Sequence, residues 1–531
     1  MCVIYPDAIR GFLTDESRWL MLVTSPSSAT HLGVGYWISS PPEGPWAPGD
    51  TIPASSGCRE QKTDISLWLT DECDPKSRVP VVTYHFDKES KISSHMDHTY
   101  TWILAPVLNS APNVAVLGSI ILVLMKKDPY SQTPPMKGAH SLFTAHGDTH
   151  SRIRRIYANA FTNSALKEQS PLIESHVDLF VQRLQREAKK AQDGVIDIAK
   201  YYGYVALDII ADLSLGESFH GLEGDNEHNW IVGVFLGAKF GAIRNSLSHF
   251  YPLDRLFGAL FLRLTARHRK RNYDITEDAI SKRLGLRDAG IERPDFISAV
   301  LENLSEDAGE GISRIEMEVQ ALAILIAGCQ LTTVALATMT YLLLANTRTY
   351  ERLRDEIRSS FTHTDEITVS TTRSLPYLSA VINETLRVHH PTPIHLPRIV
   401  SESGQVIGGT WIPGKTVIGI ALQAAQTSPR YFDDPLGFHP ERFLPPGHAH
   451  YETRFDDDEK GAFRPFSIGN RNCLGAMVFL SEAKLVMAKT LWSFDLSMSE
   501  GVNANWMDQK AYLVFVPTPL SVKVDTRRSV K

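Results

Sequence analysis

The apolar positions of this chain change rhythm along its length, and the change divides it. Residues 1 to about 100 are rich in Pro, Gly, Ser and Thr, as in SSPPEGPWAPGDTIPASSG, and keep no sustained period; they read as loops with short strands. From about Asp148 onward, IRRIYANAF, LIESHVDLFVQRLQREAKK and VALDIIADLSLG repeat apolar residues at helical spacing. A long helix is predicted from about Ser313 to Asn346, opened by the acidic ISRIEMEVQ and continued by ALAILIAGCQLTTVALATMTYLLLAN almost without charge. A helix apolar on every side is a buried one. SLPYLSAVINETLRVHHPTP gives a further helix that must stop before Pro391, because proline lacks the amide donor and biases the preceding residue away from helix. Between Arg398 and Ile420, VIGGTWIPGKTVIGI alternates β-branched residues with Gly and Pro, the pattern of short hairpin strands.

The stretch Ile103 to Met125, followed by Lys126 and Lys127, approaches bilayer length and has a basic flank. Pro106, Asn109, Pro112 and Asn113 interrupt it. Only Val114 to Met125 is cleanly apolar, which is the length of a core helix or strand. The first 30 residues show no basic start, long apolar run or small-residue cleavage site, so no secretory signal is readable, and Trp19 to Val23 is far too short to span a bilayer. No internal repeat and no glycine-serine linker follow. The expected organisation is an atypical N-terminal region over residues 1–125 and one mainly α domain with a minor β-sheet over residues 126–531.

Composition narrows the function classes. With 43% hydrophobic and 21% charged residues in 531, the chain is globular, neither disordered nor fibrous. The helical region exceeds a usual domain in size, which a large buried cofactor would explain. A formal charge of -6 gives no basic surplus to meet a phosphate backbone, so no nucleic-acid partner is expected. Five cysteines, Cys2, Cys58, Cys73, Cys329 and Cys473, are scattered without close pairs, which argues against a disulfide framework or a zinc knuckle and for a reducing compartment.

One of those cysteines has an unusual setting. In GAFRPFSIGNRNCLGAMVFLSEAKLVMAKTLW, Cys473 closes a glycine-punctuated loop and an apolar helix begins at about Ala476, so the helix's free N–H groups point toward the sulfur. That setting favours thiolate, and such a thiolate is a competent axial ligand for haem iron, pushing electron density toward O–O cleavage. Gly469 and Gly475 are expected to admit a flat ring and to turn with positive φ. An isolated cysteine before an apolar helix reads equally as a buried small hydrophobe. A cysteine nucleophile would need a histidine base, and the loop carries none of the local signatures of such enzymes.

Phe466, Gly469, Arg471, Cys473 and Gly475 reproduce the FxxGxRxCxG signature, and here the chain resembles the cytochrome P450 family. The resemblance runs from about Lys127 to the C-terminus, and YVALDIIADLSLGESF and ERPDF are similar to fungal secondary-metabolism members. It implies a haem-thiolate fold with haem b, whose iron is held by Cys473; Phe466 packs near the sulfur and Arg471 reaches a propionate. Arg398 in HLPRIV is similar to an arginine serving a propionate. His150 and Arg154, one turn apart in THSRIRRIYANAF, match positions serving the other propionate. Arg152 and Arg155 are left out as a solvated basic face. The order ExxR at Glu384 and Arg387, then FHPERF with Arg442, then the cysteine loop is also the family's, and implies a buried structural charge network.

The long helix departs from the family pattern A-G-x-(D/E)-T, in which glycine opens a kink for dioxygen and the acid-threonine pair relays protons. Gly328 is in place, but Gln330 stands where the acid belongs and Leu331 where the threonine belongs; Thr332 lies one residue late, about 100° further round the helix. Gln is no general acid near neutral pH and Leu exchanges no proton. Thr332 or ordered water would have to replace the relay, unless Thr332 and Thr333 merely bond back to carbonyls one turn earlier.

The resemblance implies a monooxygenase that uses O2 and electrons from NADPH, delivered by NADPH-cytochrome P450 reductase at the endoplasmic reticulum membrane, although no clear N-terminal anchor is readable. Its substrate would be a small apolar metabolite: a terpenoid, polyketide or alkaloid intermediate. Two alternatives stand beside it. One is rearrangement, dehydration or ring formation without the relay, favoured by Gln330 and Leu331. The other is a haem protein without turnover, favoured by the unmatched N-terminal region.

Overall fold

A capping box starts the long apolar helix: the Glu316 N–H donates to the Ser313 hydroxyl at 3.2 Å, and the Ser313 N–H donates to the Glu316 carboxylate at 3.0 Å. The computed structural model describes strands at residues 18–24, 32–38, 65–68, 82–86 and 126–127, and residues 136–527 apart from 225–238, 244–252, 306–309, 395–396, 408–409 and 503–504. Among the described residues the longer helices are α1 (Gly147–Ala158), α2 (Asn163–Lys190), α3 (Ile198–Leu215), α4 (Leu253–Asp288), α5 (Arg314–Ala345), α6 (Thr347–Ser360), α7 (Pro376–Val388) and α8 (Ala476–Ser493). The predicted ends of α5 and α7 agree closely with these bounds. Ser313 and Asn346 flank α5, and α7 stops at Val388, before Pro391.

The chain divides into two compact units. One comprises Met1–Ser131, Ser248–Phe250 and His395–Ile420. Four of its strands, β1 (Arg18–Thr24), β2 (Leu32–Ile38), β3 (Ile65–Trp68) and β4 (Val82–Phe86), form an antiparallel sheet in the order β1-β2-β4-β3. A second sheet joins β5 (Lys126–Lys127), β7 (Arg398–Ile399) and β10 (Val417–Ile418), and β8 (Gln405–Ile407) pairs with β9 (Thr410–Ile412) as the expected hairpin. The strand β6 (Val195–Asp197) belongs to the other unit. Lys127 pairs with Arg398 within this unit. The apolar stretch Ile103 to Met125 lies outside the described residues.

The larger unit comprises Gln132–Leu247, Tyr251–Ile394 and Ala421–Lys531. Its core is built around α5 and α3, both buried over most of their length. They cross closely because Gly328 has no side chain: a Cβ there would lie 2.5 Å from Ile210 Cγ1. The helix continues unbroken through this glycine, which serves the crossing. By length and composition α5 is the one helix among the described residues apolar enough to cross a membrane, and most of it is enclosed in this core. The minor sheets of this unit are β11 (Phe494–Met498), β14 (Ser521–Thr526) and β6 in that order, and the hairpin β12 (Ala511–Tyr512) with β13 (Val514–Phe515).

Candidate haem-thiolate site

Gly469 turns the cysteine loop at φ +78°, as expected, but the other left-handed residue is Ser467 at +58°, and Gly475 lies at -79°. Gly475 is therefore not needed for a positive φ. Its lack of a side chain keeps the space beside the sulfur open, since a Cβ there would sit 3.9 Å from Cys473 Sγ. The Cys473 N–H donates to the Phe466 carbonyl at 2.9 Å, closing the loop, and the Phe466 ring rests on Phe479 of α8 with centroids 5.7 Å apart.

Backbone N–H groups of Gly475 and Ala476 reach the sulfur, and the Arg154 guanidinium lies near it; all three favour thiolate. Burial outweighs them and pushes the Cys473 thiol above its ordinary value. The sequence reading had the helix start prevail; the surrounding protein's desolvation is the larger effect. Yet the residue keeps accessible surface. A metal cation bound at this sulfur would deprotonate it outright.

Two of the propionate candidates, Arg471 and Arg154, make their bonds at this loop. Arg471 donates to the carbonyls of Leu142 and Ala145, at 3.1 and 2.6 Å, just before α1. From α1, Arg154 donates to the Asn472 carbonyl at 2.9 Å and to its side-chain oxygen. His150 lies buried one turn earlier on the same helix. Arg152, set aside, pairs with Glu316 at 2.6 Å and ties α1 to the start of α5. Arg155 is exposed. In the other unit, Arg398 is almost fully buried; its Nη1 donates to the Pro397 carbonyl and its Nε has no partner, while burial pulls its guanidinium down to about 10. A buried guanidinium with an orphaned N–H fits a missing anion.

Glu384, Arg387 and Arg442 come together with no exposed side-chain surface. Arg387 grips Glu384 with two bonds of 2.8 Å, and its remaining donors reach the carbonyls of Gln426, Pro435 and Gly437. Arg442 lies 3.2 Å from Glu384 and also pairs with Asp458. Every charge in this cluster is matched and bonded, which suits a structural role.

Along α5, Ala323, Ala327 and Leu331, spaced four apart, and Ile324, adjacent to Ala323, are apolar positions that keep partial accessible surface. Within this unit, such an apolar stripe and an accessible thiol suit a flat, iron-bearing ring, and the residues fit haem. Thr333 bonds back to the Cys329 carbonyl at 2.7 Å, as buried helical threonines do. Thr332 is buried and has no hydrogen-bond partner among the described residues. Gln330 points its amide at the Phe515 carbonyl, 3.4 Å away. Sequence reasoning did not find Asn472, Phe515 or Glu482, a buried acid on α8, because nothing local marks them.

The family model for cytochrome P450 matches residues 118–524. The cytochrome P450 monooxygenase astA of Talaromyces wortmannii is 34% identical over 407 residues, 77% of this chain and 79% of the relative. The cytochrome P450 monooxygenase traB of Penicillium crustosum is 34% identical over 75% of this chain and 77% of its own length. The cytochrome P450 monooxygenase lcsI of Purpureocillium lilacinum is 33% identical over 73% of both chains.

Proposed function

This chain belongs to the cytochrome P450 family, and on that premise we propose that it oxidises a small apolar metabolite, with electrons passed from NADPH by a cytochrome P450 reductase. The chain is a haem-thiolate monooxygenase. Haem supplies the activation of dioxygen when bound. Cys473 would hold its iron, and His150, Arg154, Arg398 and Arg471 its propionates, through charge-assisted bonds. The apolar stripe of α5 would receive the substrate and exclude water from it.

Support for a terpenoid, polyketide or alkaloid intermediate comes from the fungal company of the relatives and from a stripe without a charged group. Reductase choice and attachment to the endoplasmic reticulum rest on family membership. The observation that carries the whole reading is Cys473, accessible within the fold and faced by the N–H groups of Gly475 and Ala476. In the reduced carbonyl complex, Cys473→Ser is expected to lose the thiolate band that the parent protein shows. Retention of that band would overturn the assignment.

Gln330 and Leu331 favour a second reading, in which the enzyme rearranges, dehydrates or cyclises its substrate. With Thr333 committed to Cys329, the Thr332 hydroxyl is the group on this turn of α5 left to pass a proton. In a monooxygenase Thr332→Val is expected to raise hydrogen peroxide release per NADPH. In the rearranging enzyme it leaves product yield unchanged, and product forms without oxygen.

A further inference from the structure

We propose that Gln320 is a positioning residue that clasps the turn ahead of α1 onto α5 and, through the carbonyls of that turn, aims the Arg471 guanidinium at the propionate it would hold; this rests on the haem-thiolate reading above. Gln320 is fully buried, and its side chain bonds one short stretch of backbone in both directions. Its Nε2 donates to the His140 carbonyl at 2.8 Å, and its Oε1 accepts from the Leu142 N–H at 2.6 Å. The turn so clasped is closed on itself. The N–H groups of Thr144 and Ala145 donate to the Ser141 carbonyl at 2.9 and 2.7 Å, and the Ser141 N–H donates to the Thr144 hydroxyl at 2.9 Å.

An amide suits this clasp. The side chain must give one bond and take one at backbone groups two residues apart, which an ionised carboxylate, having no donor, and an ammonium, having no acceptor, do not do. One turn earlier, Glu316 receives the Arg152 guanidinium of α1 at 2.6 Å. Residues four apart on one face of α5 therefore hold both α1 and the turn ahead of it.

What the turn offers in the other direction is a pair of acceptors. Leu142, whose N–H goes to Gln320, gives its carbonyl to Arg471 Nη1 at 3.1 Å, and Ala145 gives its carbonyl to Arg471 Nη2 at 2.6 Å. Bonds to both terminal nitrogens fix the plane of a guanidinium, and with it the directions in which its other N–H groups point. Leu142 is thus bonded through its N–H to α5 and through its carbonyl to the cysteine loop. Opening the clasp releases the acceptors, and the guanidinium turns with them.

The test uses the full-length protein and two measurements: hydrogen exchange at the Leu142 amide before haem is added, and the rate of haem transfer from loaded protein to an acceptor apoprotein. Gln320→Met, which keeps the side chain's length and removes both bonds, is expected to speed exchange at Leu142. It should also speed haem transfer by about fivefold, the worth of one net hydrogen bond at Arg471, with the thiolate band of the reduced carbonyl complex unmoved. In an Arg471→Ala background, where there is no guanidinium to aim, Gln320→Met is expected to add nothing to the transfer rate. An effect that multiplies the Arg471→Ala rate in full would mean that Gln320 merely holds structure, and overturns the proposal; so does exchange at Leu142 that matches the parent. If Gln320→Met loads no haem, the same cycle is run with Gln320→Glu at alkaline pH, which keeps the bond from Leu142 and loses the one to His140. Absence of a haem-thiolate spectrum in the parent would instead overturn the functional reading, and the exchange measurement, which needs no haem, tells that failure from a failed clasp.

Discussion

Glu482 sits enclosed on α8 with its Oε1 unpartnered, and burial pushes its carboxyl well above the ordinary range. The unfolded chain, ionising near 4.5, gives up this proton at a lower pH than the folded protein does. Stability is accordingly complete below that pH and falls as pH rises, by at most ~1.4 kcal/mol per pH unit. Glu482→Gln removes the dependence; its Tm is expected to exceed the parent's at pH 8 and to converge on it near pH 4. A lower Tm at pH 8 would contradict this. His389 runs the other way: burial pulls its imidazole down to about 4, so stability is lost as pH falls below 6.5, where the unfolded chain takes up a proton. At this scale the sequence exposed what short spacings fix, namely Cys473 in its loop and Glu384 three residues from Arg387. It did not expose the partner of Gln330, which lies 185 residues away, nor the balance of desolvation against helix N–H groups at Cys473.

Helix α7 is held by the charge cluster at its end more than by its own propensity. Arg387→Ala takes the two-bond partner from a Glu384 carboxylate with no exposed surface, leaving it Arg442 and the His439 N–H, and such a loss costs about 3 to 5 kcal/mol. Expression of this variant is expected to give little haem-loaded protein, read as the ratio of haem absorbance to total protein. Normal loading with unchanged thermal stability would show that the cluster is dispensable. Helix ends were legible because their signals are local: Ser313 with Glu316 opens α5, and Pro391 bars the continuation of α7. The pairing of Arg398 with Lys127 was not, since it is a long-range choice that no periodicity encodes.

For the whole molecule, the mainly α class with minor sheets was readable from rhythm alone, and the family from one loop. The cysteine loop is nevertheless not a local structure. Arg154 and Asn472 are 318 positions apart, and Arg471 and Leu142 are 329 apart, yet these bonds set the loop against α1. A ribosome adding about 5 to 20 residues per second finishes α1 well before it reaches Cys473. The early helices therefore wait, without their counterpart, until the cysteine loop has emerged. Cells starved of haem should accumulate full-length apoprotein that loads when haem is restored after synthesis is blocked, whereas chains ending before Arg471 should bind none under any supply.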